Sequence, residues 1–250
     1  MSTHLYCVLP HALRGDVPPG LSGVDGARVR ALTVEQLVVW VSDVERRAPM
    51  SFDGVRAHDA VVEAALEMGA TPMPARFGQT FSDDAACRTA IARRATSVET
   101  VLEELQGCVE MTVIITPSTR RMLSDLEPVV PQMFEADAPG AGRDYLEALS
   151  AREAASGTVQ RTANGLAERL EAAVAPVLVK KAQPRSVMRM PMLTLSHLIR
   201  RDDVDAYREA ISSVKSGPEL RYLLIGPRAP YSFCGLDAGP GGAHGMNLAD

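Results

Sequence analysis

Two prolines spaced two residues apart, Pro72 and Pro74, constrain this chain more than any other local feature. Neither has an amide hydrogen, and in a strand both fall on the same side, so the strand that holds them belongs at a sheet edge or pairs on one flank only. They stand in the stretch His58-Asp-Ala-Val-Val-Glu-Ala-Ala-Leu-Glu-Met-Gly-Ala-Thr-Pro-Met-Pro-Ala-Arg-Phe-Gly-Gln-Thr-Phe81. Val61, Val62, Ala65, Leu66 and Met68 recur at helical spacing, which predicts a helix over 58–68 with one buried face. Gly69 suits its C-terminal stop. The stretch therefore reads as a helix, a turn and an edge strand, with Arg76 in apolar company and Gly78 permitting close approach between Phe77 and Phe81.

On either side of this joint the chain alternates strand and helix signals. Residues 3–9 predict a first strand ended by Pro10, and Val29–Val34 and Leu37–Ser42 two more, the last apolar enough to be central. Ser82-Asp83-Asp84 opens a helix with a hydroxyl N-cap and acids at the positive end of the dipole. Its stripe runs through Ile91, Val98, Val101, Leu102 and Leu105 to Gly107, and Val109–Thr116 forms a strand stopped by Pro117. The first 117 residues thus predict an α+β domain with a mixed sheet and helices on one face. Prolines and glycines without a sustained period make 118–143 a linker. A second domain, 144–235, begins with a long Ala-, Glu- and Arg-rich helical segment to about Ala175. It continues with a β run over Val187–Leu198, a helix over Asp202–Val214 and a strand over Leu220–Ile225. Glycine-rich 236–250 reads as a disordered tail.

Charge and cysteine usage narrow the function classes. The net charge is −5 over 250 residues, with lysine only at Lys180, Lys181 and Lys215, which argues against a nucleic-acid surface. No apolar run reaches the roughly 20 residues of a membrane span, and the N-terminus lacks the parts of a signal peptide. Cys7, Cys87, Cys108 and Cys234 are scattered, which favours buried free thiols and a cytoplasmic setting.

No catalytic, cofactor-binding or metal-binding set converges in the sequence. His58, Asp59 and Glu63 lie near one another, but no second histidine is close in sequence, and a solvated helix start is the plainer reading. Ser196-His197 has no nucleophile elbow, and no glycine fingerprint follows a strand. Arg76 either anchors a partner carboxylate or pairs with an internal acid or carbonyl, and the internal role is favoured. In Leu223-Leu-Ile-Gly-Pro-Arg-Ala-Pro-Tyr-Ser-Phe233, Pro227 and Pro230 fix the backbone so that Tyr231 and Phe233 are held in place. These rings are expected to close the C-terminal domain, with a partner groove as the alternative.

Ala75-Arg-Phe-Gly-Gln-Thr-Phe81, preceded by His58-Asp-Ala-Val-Val-Glu-Ala-Ala-Leu66 and followed by Ile225-Gly-Pro-Arg-Ala-Pro-Tyr-Ser-Phe233, resembles the gas vesicle protein F/L family (GvpF/GvpL). That family's patterns run roughly H-E-A-V-L, L-P-L-R-F-G-T-V-F and T-G-P-W-P-P-Y-S-F, in the same order. Arg228 stands where the family usually has Trp, Ala229 where it often has Pro, and Met73 and Ala75 replace leucines. The resemblance attaches partner-binding or structural roles to Arg76, Phe77, Gly78, Phe81, Gly226, Pro227, Pro230, Tyr231 and Phe233.

What the resemblance implies is a non-enzymatic gas vesicle accessory protein or minor component without a cofactor, with a C-terminal modified ferredoxin-like domain. Its implied partner is the hydrophobic gas vesicle shell protein of the GvpA type, bound during nucleation and assembly and kept from aggregating. Other gas vesicle accessory proteins are further implied partners, whereas nucleic acid and membrane are not. Two rival readings are a small-molecule enzyme with a site near His58 and Arg76, which needs a deep pocket, and a purely structural component of the shell.

Overall fold

In the computed structural model the described residues are 1–11, 16–45, 51–118, 157, 160–186 and 193–234. The expected linker over 118–143, apart from Ser118, and the expected tail over 236–250 lie outside them, as does most of the helical segment before residue 160. Contacts group the chain into two compact units. The first comprises Met1–Met111, His197–Val204 and the stretch from Gly226 on; the second comprises Thr112–Ser196 and Asp205–Ile225.

Strand β1 (Ser2–Pro10) is buried along nearly its whole length, because strands flank it on both sides. On one side lies β3 (Leu37–Val44), which forms a hairpin with β2 (Arg30–Val34). On the other lie two short pieces, β4 (Met73–Pro74) and β5 (Thr80–Phe81). The sheet order is β2-β3-β1-β4, so the proline-bearing strand is at an edge, as its missing amides require. Each of these pairings is antiparallel, so the sheet is not the mixed one expected from the alternation of strands and helices.

A bulge decides what β1 presents to each face. The register with β3 slips between Leu5, opposite Val41, and Cys7, opposite Trp40. Tyr6 is the extra residue, so the consecutive Tyr6 and Cys7 both enter one apolar cluster while Leu5 and Val8 enter the other. Helix α1 (Phe52–Glu67) supplies Val61, Val62 and Ala65 to the cluster of Tyr6, Trp40 and Val38. Helices α2 (Asp84–Ala92) and α3 (Ala95–Leu105) supply Ile91, Val98, Leu102 and Leu105 to the cluster of Leu5, Val39 and Val41. Helices therefore cover both faces of this sheet rather than one. The expected continuous stripe over 82–105 breaks at Arg93-Arg94, and the cap of α2 is Asp83, which accepts from the Ala86 amide at 2.8 Å, not Ser82.

The second sheet contains β6 (Cys108–Pro117), β7 (Leu178–Lys181), β8 (Arg185–Ser186), β9 (Leu193–Arg200) and β10 (Leu220–Arg228). Its order is β10-β6-β9-β7, with β8 paired to β9. Helix α4, over 160–174, lies between β6 and β7 in the chain, and α5 (Val204–Ser213) lies between β9 and β10. Setting β8 aside, this is a β-α-β-β-α-β chain in spatial order 4-1-3-2, the ferredoxin-like arrangement. Ala163, Leu166, Ala167, Leu170 and Val174 make one buried stripe on α4. The Tyr222 hydroxyl donates to the Ile211 carbonyl at 2.9 Å at the end of α5.

Candidate functional site

Helix α1 is where the motif residues meet, and its start explains how. Ser51 caps it, its Oγ accepting from the Gly54 amide at 3.0 Å, so the helix begins at Phe52, six residues before His58. His58 is consequently a mid-helix residue on the buried face rather than a solvated helix start. Its Nε2 lies 3.1 Å from the Ala75 carbonyl, which can only accept, so Nε2 carries the proton. Its Nδ1 is then an acceptor, and His4 Nε2 donates to it at 3.0 Å. His4 Nδ1 is left as a buried acceptor without a hydrogen-bond partner. The rings of Tyr6, at 4.8 Å, and Phe77, at 5.9 Å, stand against His4. Burial, with the neighbouring His58, pushes His4 down to about 3; burial pushes His58 down to about 4. Both imidazoles are neutral at pH 7, and both nitrogens of His58 face protein atoms.

The Arg76-Phe-Gly motif is a turn, not part of one continuous strand. The Gln79 amide donates to the Arg76 carbonyl at 3.2 Å, and Gly78 has φ of +81°, the third-position requirement of a type II turn. The legs of the turn are tied to β1 by Ala75 N–H to Tyr6 O at 2.8 Å and Leu5 N–H to Gln79 O at 3.0 Å. Phe77 reaches back over α1, where a Cβ on Gly54 would come 3.0 Å from its ring. Arg76 is half-buried at the head of the turn, and Phe81 packs against the cluster of Leu5 and Ile91.

The Gly226–Cys234 segment packs on the same unit. Gly226 has φ of +124°, and a Cβ there would sit 2.7 Å from the Glu110 carbonyl oxygen, so no other residue fits. The Gly226-Pro227 peptide is cis. Beyond it, three carboxylates take the polar groups. Asp59 faces Arg228 Nη2 at 3.4 Å. Glu63 accepts from the Ala229 amide at 3.1 Å. Glu110 accepts from both the amide and the hydroxyl of Ser232, each at 2.8 Å. The Arg228 guanidinium also lies over the Tyr231 ring, 5.6 Å from its centroid, so arginine at this position remains in aromatic contact.

The two rings of this segment go to different places. Tyr231 packs against the cluster that holds Tyr6, Trp40 and Val61, and Phe233 against the one that holds Leu5, Val8 and Ile91. They lie in the first unit, not in a closure of the C-terminal part of the chain. Pro230 precedes the 3-10 turn Tyr231–Phe233, and its carbonyl accepts from the Cys234 thiol at 3.0 Å. Burial raises the Tyr231 hydroxyl and the Glu63 carboxyl above their ordinary ranges. Asp59, Glu63 and Glu110 are the residues that sequence reasoning undervalued. The available signal was the i, i+4 spacing of the two acids on α1 and a lone Glu in an apolar strand.

The arrangement is that of polar groups holding the chain's own backbone. An open groove of about 870 Å³ lies beside β2, lined by Asp16–Leu21, Ala27–Ala31 and Asp43, and includes neither His58 nor Arg76. Among the described residues no group of three or more His, Cys, Asp or Glu could hold a metal ion. No described helix is long and apolar enough to cross a membrane.

Two outcomes follow from this geometry. Glu110→Leu leaves the Ser232 amide without its acceptor and should cost about 1–3 kcal/mol in chemical denaturation, whereas Glu110→Gln, which keeps an acceptor oxygen, should cost less. A Glu110→Leu protein as stable as the parent would contradict the assignment. Because the folded state holds His4 and His58 neutral, their contribution is fully present above about pH 6.5 and is lost as pH falls toward their depressed values. Between pH 7 and 5 this amounts to about 2 kcal/mol per imidazole. Glu63, held above its ordinary range, acts in the opposite direction. Denaturation midpoints measured across this range should fall for the parent and fall about half as far for His58→Gln; equal slopes would exclude the pair as the cause.

Comparison with known proteins agrees with the motifs. The family model described as gas vesicle synthesis protein GvpL/GvpF matches residues 2–235. Gas vesicle protein L of Streptomyces sp. (strain CB03234) is 29% identical over 243 residues, 89% of each chain. The crystal structure of GvpF from Anabaena sp. PCC7120 superposes with a TM-score of 0.69 at 19% identity, covering 95% of this chain and 99% of that one. GvpF from Microcystis aeruginosa gives 0.70 at 18% identity, covering 94% and 99%. These two likenesses show the shared fold, and the α+β class expected from the sequence agrees with them. The chain belongs to the GvpL/GvpF family of gas vesicle synthesis proteins.

Proposed function

We propose that the protein is a non-enzymatic accessory protein, or minor component, of the gas vesicle that binds the shell protein of the GvpA type and keeps it from aggregating during nucleation and assembly. The observation that carries this reading is the internal use of both family motifs. The polar groups of Gly226–Cys234 meet Asp59, Glu63 and Glu110, and His58 meets Ala75 and His4, so these segments serve a rigid scaffold rather than a reaction. A shell subunit that exposes apolar β structure in water is an aggregation hazard until it is incorporated. A folded scaffold with sheet edges can cover such a segment through main-chain hydrogen bonds, a mode that tolerates sequence variation.

Light scattering of the purified shell protein, diluted from denaturant with and without this chain, tests the reading. Scattering should be suppressed, with saturation near equimolar amounts, and the effect should be the same with chelator present and nucleotide absent. A folded sample that leaves scattering unchanged, and that captures no shell protein in a pull-down, would end the proposal.

A further inference from the structure

The flanking strands of the two sheets are not protected equally. An outer strand presents unpaired N–H and C=O groups, and proteins blunt it with proline, charge or a covering group. Among the described residues, three of the four flanks show such devices. On the first sheet, β4 carries Pro74 just after Pro72. The opposite flank, β2, has Arg30 paired with Asp43 at 2.6 Å and Asp84 at 2.7 Å, and its Thr33 carbonyl accepts from the Arg88 guanidinium. On the second sheet, β7 exposes Lys180 and Lys181, the latter paired with Glu171 at 2.6 Å.

Strand β10 departs from this pattern. From Leu220 to Ile225 it has one charged residue, Arg221, and no proline until Pro227. It pairs with β6 and ends the sheet order. Leu223 is 58% exposed, and Leu224 and Ile225 are half-buried. Of the other exposed large apolar side chains, Val179 lies on β7 next to the exposed Lys180 and Lys181, and Phe52 is on α1, with the Arg56 guanidinium 5.7 Å from its ring centroid. Among the described residues no strand pairs with the outer flank of β10, and exposed leucine beside such a flank is the combination a partner strand recognises.

We infer that β10, over Leu220–Ile225, is the docking strand for an extended apolar segment of the shell protein, one that also carries a carboxylate to meet Arg221. This rests on the shell-binding reading above and adds the surface. Arg221, Leu223 and Ile225 alternate along one side of the strand, so a paired segment sets an apolar side chain against Leu223 and an acid against Arg221. A second copy of this chain answers that pattern poorly. Antiparallel self-pairing centred on Leu223 places Ile225 opposite Arg221, and a register that brings Glu219 to Arg221 leaves Leu223 opposite Gly217, outside the strand.

Binding of the shell protein to the immobilised full chain tests the assignment. The variants are Leu223→Lys, Arg221→Glu and, as a control on the charged flank, Val179→Lys, each checked for a parent-like melt. Leu223→Lys should weaken binding at least about tenfold and Arg221→Glu about fivefold, for loss of a paired apolar side chain and of an ion pair, with Val179→Lys within about twofold of the parent. Parent-like binding by both Leu223→Lys and Arg221→Glu would overturn the β10 site while leaving the shell-binding reading intact. No binding by the parent itself would overturn both. Conversion of a dimer to a monomer by Leu223→Lys, with shell affinity unchanged, would assign the edge to a second copy and overturn the inference.

Discussion

The amides of Ala229 and Ser232 find their acceptors on side chains, not in a sheet or helix, and the first unit depends on that arrangement. Glu63 of α1 and Glu110 of β6 accept from them, and Asp59 pairs with Arg228. A buried amide left without an acceptor costs about as much as a lost hydrogen bond, so removing either carboxylate destabilises the segment's seat. Once the segment is held, Tyr231 and Phe233 enter the two apolar clusters on opposite faces of the β1–β3 sheet. The two faces of the N-terminal sheet are thus completed by residues of the 3-10 turn that follows β10.

The same logic links the two family motifs. His58 and the pair Asp59 and Glu63 sit on one helix, the first turned to Ala75 and His4, the others to residues 228–231. The Arg76-Phe-Gly turn and the Gly-Pro-Arg-Ala-Pro-Tyr-Ser-Phe segment are therefore read by adjacent faces of α1. Substitution of the family's usual tryptophan by Arg228 keeps the aromatic neighbour and adds an ion pair to Asp59. His58, Phe77, Phe81, Tyr231 and Phe233 of these motifs all pack within the chain.

Much of the fold was legible because it follows from local pattern. Strands β1, β3 and β6 are apolar runs, and Pro10 and Pro117 sit at the ends of the first and last. The edge position of β4 follows from its missing amides. What was not legible depends on distant partners. The bulge at Tyr6 is set by pairing with β3, and Glu110 and Ser232 are 122 residues apart in sequence, Glu63 and Ala229 166. The early start of α1 was hidden because Phe52 and Val55 stay exposed and weaken the apolar stripe there. The split of 72–81 into two short strands comes from a turn bond between Gln79 and Arg76, which a run of strand-forming residues conceals.

On the proposed reading the family motifs build the scaffold while a separate edge, β10, meets the partner. Amide hydrogen exchange of the full chain, followed residue by residue with and without equimolar shell protein, tests it most directly. In the free chain the amides of Ala229 and Ser232 should already be protected, and added protection on binding should appear in Leu220–Ile225 with 75–81 and 226–234 unchanged. Fast exchange of Ala229 and Ser232 in the free chain, slowed only by the shell protein, would contradict it and make the motifs themselves the contact.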